Sequence, residues 1–133
     1  MNDTELLAVF ESQCISNDDW SHEYHIRIAA IYLIHNDFKS ALNKVKDGIK
    51  KLNATNDVPE SQFRGFHATL TVGWLKVVAT KLQTSKSKSS LELIETCPEL
   101  LDPRMLNEFY TTERLMSLEA KARFVEPDLK PLD

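Results

Sequence analysis

The chain has 133 residues, the size of one ordinary domain, with 42% hydrophobic and 27% charged side chains, the proportions of a folded protein and not of a disordered one. Its formal charge of −4, from 16 basic and 20 acidic side chains, argues against non-specific nucleic-acid binding, which needs a basic face. Cys14 and Cys97 are too few and too far apart for a disulfide framework or a thiolate zinc site. Without a signal peptide or an apolar run long enough to span a bilayer, the expected compartment is the cytoplasm and no membrane partner is expected.

Three glycines and apolar residues at helical spacing predict an all-α fold. It is expected as a single domain over residues 1–133, an irregular bundle of four main helices followed by short helices and an extended, ordered tail. The first helix is expected over 3–14, capped by Asp3 or Thr4, with Leu6, Leu7, Phe10 and Cys14 inward. The second, over 19–35, is apolar almost all round (Ile26, Ile28, Ala29, Ala30, Ile31, Leu33, Ile34) and should be central. Asn36-Asp37 breaks the chain before a third helix over 38–54, the return arm of an antiparallel pair. Its inward residues Phe38, Ala41, Leu42, Val45, Ile49 and Leu52 leave Lys39, Lys46, Lys50 and Lys51 on an ordinary solvated face.

A polar loop with Pro59 leads to a fourth helix over 63–82, whose stripe is His67, Leu70, Thr71, Trp74, Val78 and Leu82. The stretch from Thr84 to Ser90 is low in complexity and is expected to be a mobile loop within the domain. Short helices follow at 90–96, at 103–110 behind Asp102-Pro103, and at 117–124 behind Ser117. In the tail, 125–133, prolines alternate with leucines and charges, the pattern of a segment laid across the surface. Arg64, Arg114 and Arg123 could clamp its carboxylates, Glu126 and Asp128.

The chemical signal lies in the histidines. His22 and His25 fall about 60° apart on the second helix, in one sector with Ala29, and His67 sits mid-stripe on the fourth. A buried imidazole must find an acceptor, a carboxylate or a metal. Convergence of all three requires the second and fourth helices to run roughly parallel. Three convergent imidazoles could form a facial site for zinc, nickel, copper or iron, with metal-bound water as nucleophile for a hydrolase-like reaction. The expected pocket is lined by Trp20, His22, His25, His67, Thr71 and Arg114 and takes a small polar or anionic ligand. Two alternatives stand beside it: a metal-dependent enzyme on the three histidines, and an interaction module in which the histidines serve the fold.

Several segments also resemble a known pattern. Trp20-Ser21-His22 with His25 (W-[ST]-H-x-x-H), Gly65-Phe66-His67 with Thr69 and Thr71 (G-[YF]-H-x-T-x-T), and Glu126-Pro127-Asp128-Leu129 with Pro131-Leu132 (E-P-D-L-x-P-L) are its main motifs. Asp47-Gly48-Ile49 with Asn53, Glu113 to Ser117, Ala120 and Ala122-Arg123 extend it. Together they resemble a family of small all-helical proteins of similar length, to which no activity is assigned. Phe66 and Ala68 depart from the family's Gly-Tyr-His-Glu-Thr, so the resemblance implies no His–Glu pairing here. It selects positions and implies no reaction.

Overall fold

A computed structural model describes residues 1–132, and among them all regular structure is helical. Helix α1 spans Asp3–Glu11. Asn2, one residue before the expected caps, starts it through a reciprocal capping box with Glu5. The chain leaves the helix at Ser12 and turns through Gln13 at φ 55°. Cys14 is therefore exposed and not on an inward stripe.

Helix α2 covers His22–His35 and begins later than expected, because the Ser21 hydroxyl accepts from the Tyr24 N–H. It is central as its pattern predicts: Ile26, Ile28, Ala29, Ala30 and Ile31 are buried, with α1, α3, α4 and α5 packed around them. Helix α3, Phe38–Thr55, is capped by Asp37, whose carboxylate accepts from Ser40 N at 2.8 Å. Gly48 lets α1 sit down on this helix, since a Cβ there would overlap the Phe10 ring.

Helix α4 is Ala68–Ser85, five residues later than the sequence pattern suggests. Gly65 has φ 89°, outside helical space, and His67 is the cap instead of a residue of the buried stripe. The serine-rich stretch is a close turn, with Lys86 in the left-handed conformation and Ser87 and Ser90 buried. Arg27, itself 2% exposed, donates to Ser90 Oγ at 2.8 Å and to Asp3 and the Met1 carbonyl, tying the N-terminus, α2 and α5 together.

Helix α5 is Ser90–Thr96, followed by 3₁₀ turns at Pro98–Leu101 and Pro103–Glu108. Helix α6, Thr112–Leu115, gives no periodic signal, being a single turn; α7 is Leu118–Ala122, capped by Ser117. The tail is laid down as expected. Tyr110 Oη donates to Val125 O at 2.6 Å, Asp128 accepts from Thr111 N and Oγ1, and Leu132 is buried. One apolar cluster runs from Leu6 to Leu132.

Candidate functional site

The start of α2 holds the first half of the expected pocket. His22 and His25 lie with ring centroids 6.5 Å apart; His22 meets the Trp74 indole edge-on at 4.6 Å, and His25 lies 6.2 Å from Trp20. Trp20 in turn stacks on Phe10. A carbonyl can only accept, so the 2.9 Å contact between His22 Nε2 and Leu100 O puts the proton on Nε2. Burial lowers the His22 pKa against the pull of that carbonyl and of Asp102. His25 has a buried Nε2 with no hydrogen-bond partner. Burial, reinforced by His22, pushes its pKa down to about 4, so the ring is neutral at pH 7.

The second half forms separately. His67 Nδ1 accepts from Leu70 N at 3.0 Å, and its Nε2 donates to Leu115 O at 2.9 Å. Both nitrogens are spent, one on capping α4 and the other on docking α6, which fixes the neutral tautomer. Burial lowers this pKa as well, and the nearby Lys121 ammonium adds to the effect. Thr71 is buried and returns its hydroxyl proton to His67 O at 2.8 Å. Its neighbour Thr69 donates to Arg123 O and accepts from Val125 N, pinning the tail. Arg114 Nε donates to Glu126 O at 2.6 Å, so it clamps the tail and lines no histidine pocket. Arg123 pairs with Glu119 instead of a tail carboxylate.

Helix direction does not prevent convergence. His22 lies against Trp74, and Arg27 reaches Ser90 beyond the end of α4, so α2 and α4 run in the same general sense. The obstacle is stagger. Trp74 is seven residues past His67, about 10 Å along the axis at 1.5 Å per residue, and His22 meets α4 at the Trp74 level. The expected facial site for zinc, nickel, copper or iron is thereby corrected: among the described residues, no three His, Cys, Asp or Glu side chains are grouped to hold a metal ion.

A cavity of about 750 Å³ opens elsewhere, between the C-terminal half of α3, the loop 58–66 and α7, and no histidine lines it. Its walls include Ala54, Val58, Phe66, Leu118 and Ala122. The loop is folded around one ion pair. The Glu60 carboxylate lies over Gly65, where a Cβ would overlap it, and accepts from Phe66 N at 3.0 Å. Lys121 Nζ closes the arrangement, donating to Glu60 at 2.8 Å and to Phe66 O at 2.7 Å. Lys121, followed by the Phe66 N–H, holds the Glu60 carboxyl below the usual range. Lys50 stands over the Phe66 ring, 4.9 Å from its centroid. Large apolar groups are left outside: Leu118 on α7 is 66% exposed and Phe63 in the loop is 74% exposed.

Helical periodicity could not find this site, because it is made by a loop and a five-residue helix. The signal that does point to it is the pair Phe63 and Phe66 on either side of Arg64-Gly65, aromatic residues in a segment otherwise polar enough to be solvated. Compared with protein-family models, curated proteins and solved structures, the chain gave no match in any of the three.

Proposed function

We propose that this protein is a non-catalytic interaction module, whose working surface is the cavity between α3, the 58–66 loop and α7, and whose histidines serve the fold. The carrying observation is the pairing of a cavity of about 750 Å³ with Leu118, which lines it and is 66% exposed, while Phe63 stands exposed in the loop next to the lining residue Gln62. Large apolar side chains beside an open apolar hollow mark a place where another molecule removes them from water. The cavity's chemistry favours recognition over reaction. Its only carboxylate, Glu60, is occupied by Lys121 and the Phe66 N–H, and so is not set up as a general base. The histidine region offers less: His67 has no free nitrogen, and His22 and His25 are packed between tryptophans.

N-acetyl-phenylalanine amide, a neutral mimic of one apolar side chain, tests this reading in a titration of ¹⁵N-labelled protein. Amide shifts at Val58, Phe66 and Ala122, lost in Leu118→Arg, are the expected result. Shifts centred on His22 and His25, or none up to the solubility limit, would remove the support for it.

A further inference from the structure

The cavity does not end at Phe66. A second hollow of about 350 Å³ shares Lys50, Phe66 and Ala122 with the first and continues between α3 and α4 past Lys46 and Leu42. From Leu42 to Ala54 the groove follows α3 over thirteen residues, twelve rises of 1.5 Å or about 18 Å. Its ionic character is opposite to that of the chain. Four cationic side chains, Lys46, Lys50, Lys121 and Arg123, line the two hollows against one carboxylate, Glu60, in a protein of net charge −4.

Two of those cations are already neutralised, Lys121 by Glu60 and Arg123 by Glu119. Lys46 and Lys50 make no ion pair among the described residues. They stand one turn apart on the same face of α3. An occupant with an apolar stripe and carboxylates along one edge would bury Leu118 and meet both ammoniums. One long wall is α3, and the other is made in turn by the 58–66 loop, α7 and the first turns of α4; none of these presents a strand edge, so a helix laid in the groove is the matching geometry, not an added strand. From these observations we infer that the groove receives an acidic amphipathic helix of about three turns from a partner protein. The inference rests on the interaction reading above and specifies the partner's chemistry.

Fluorescence anisotropy with two labelled peptides of about 14 residues tests it. Both carry leucines at helical spacing, and they differ only in glutamate or lysine at the flanking positions. The acidic peptide should bind roughly tenfold more tightly than the basic one at low salt, the size of two or three exposed charge contacts. The Lys46→Glu/Lys50→Glu double variant, altered only at exposed positions, should reverse that order. Equal binding of both peptides, unchanged in the double variant, would overturn the acidic-partner inference while leaving the apolar site standing. Binding of neither, with N-acetyl-phenylalanine amide still shifting Phe66, would overturn the helical occupant alone. Loss of both responses would remove the site itself. Sedimentation velocity of the free chain adds one more outcome: a dimer abolished by Leu118→Arg would assign the groove to a second copy and overturn the inference. Binding to phosphatidylserine vesicles without binding to the acidic peptide would also overturn it, assigning the lysines to a lipid surface.

Discussion

The start of α2 and the groove along α3 are both built from polar groups set among aromatic and aliphatic side chains, but they differ in what is left over. Around α2, Trp20, Trp74 and the imidazoles close on one another, and Leu100 O accepts a hydrogen bond from His22 Nε2. Only the buried His25 Nε2 remains unsatisfied. Along α3 the polar groups of the loop satisfy each other, while Phe63, Leu118, Lys46 and Lys50 stay open to solvent. On the proposed reading, the inward-facing histidines serve packing, and the surface left uncovered by the fold is where a partner would bind.

An unfolded His25 takes up its proton near pH 6.5, whereas the folded one does so only near 4, so between those values the unfolded state binds more protons. The stability this neutral ring supplies is present above about pH 6.5 and is lost as pH falls toward 4, by about 1.4 kcal/mol per unit and about 3 kcal/mol in all. Urea denaturation across that range should show the slope, and His25→Phe should remove His25's share of it, leaving the smaller part that His22 and His67, also lowered by burial, supply. An identical slope in the variant would mean that His25 titrates normally and is open to solvent. At pH 7, with no buried nitrogen left unpaired, the variant should be as stable as the parent or more so.

His67→Ala comes next. Losing the cap of α4 and orphaning Leu115 O should cost about 2 kcal/mol in denaturant unfolding. His67→Asn, which can cap but cannot reach Leu115, should recover part of that. A change below about 0.5 kcal/mol would show that His67 does not hold these elements together. Thr69→Val, which leaves Arg123 O and Val125 N without their shared hydroxyl, should cost about 1–2 kcal/mol, read the same way. The smallest effects belong to the groove: Phe63→Ser and Leu118→Ser should stay within about 0.5 kcal/mol of the parent. A larger loss from either would make that side chain part of the core and weaken the case for an open site.

The legible part of the fold was the part governed by long periodicity. The all-round apolar character of α2 identified the central helix, and α3 begins at the expected residue and ends one later, at Thr55. Boundaries set by single side chains were harder. The shift of α4 from 63 to 68 comes from one positive φ at Gly65 and one imidazole that caps instead of packing. The serine-rich turn looked mobile by composition, yet Ser90 is buried because Arg27, a charge on an apolar helix, needs its hydroxyl. For the site, helical sector grouped His22 with His25, whose rings lie 6.5 Å apart, while Trp20, which precedes α2, reaches His25 from outside the helix. His67 was separated from them by a stagger between helices, which no single-helix periodicity encodes. The groove was less legible still, since its walls meet only after the loop folds around Glu60 and Lys121.

The central claim, that the histidines serve the fold and the groove serves binding, can be tested in one titration. Uniformly ¹⁵N-labelled, untagged protein is titrated first with the acidic amphipathic peptide and then with zinc, recording backbone amides and imidazole nitrogens together. The account predicts that the peptide moves the amides of Lys50, Phe66, Leu118 and Lys121, while the imidazole signals of His22, His25 and His67 respond to neither ligand. Stoichiometric zinc shifts at all three imidazoles, with an unmoved groove, would contradict it.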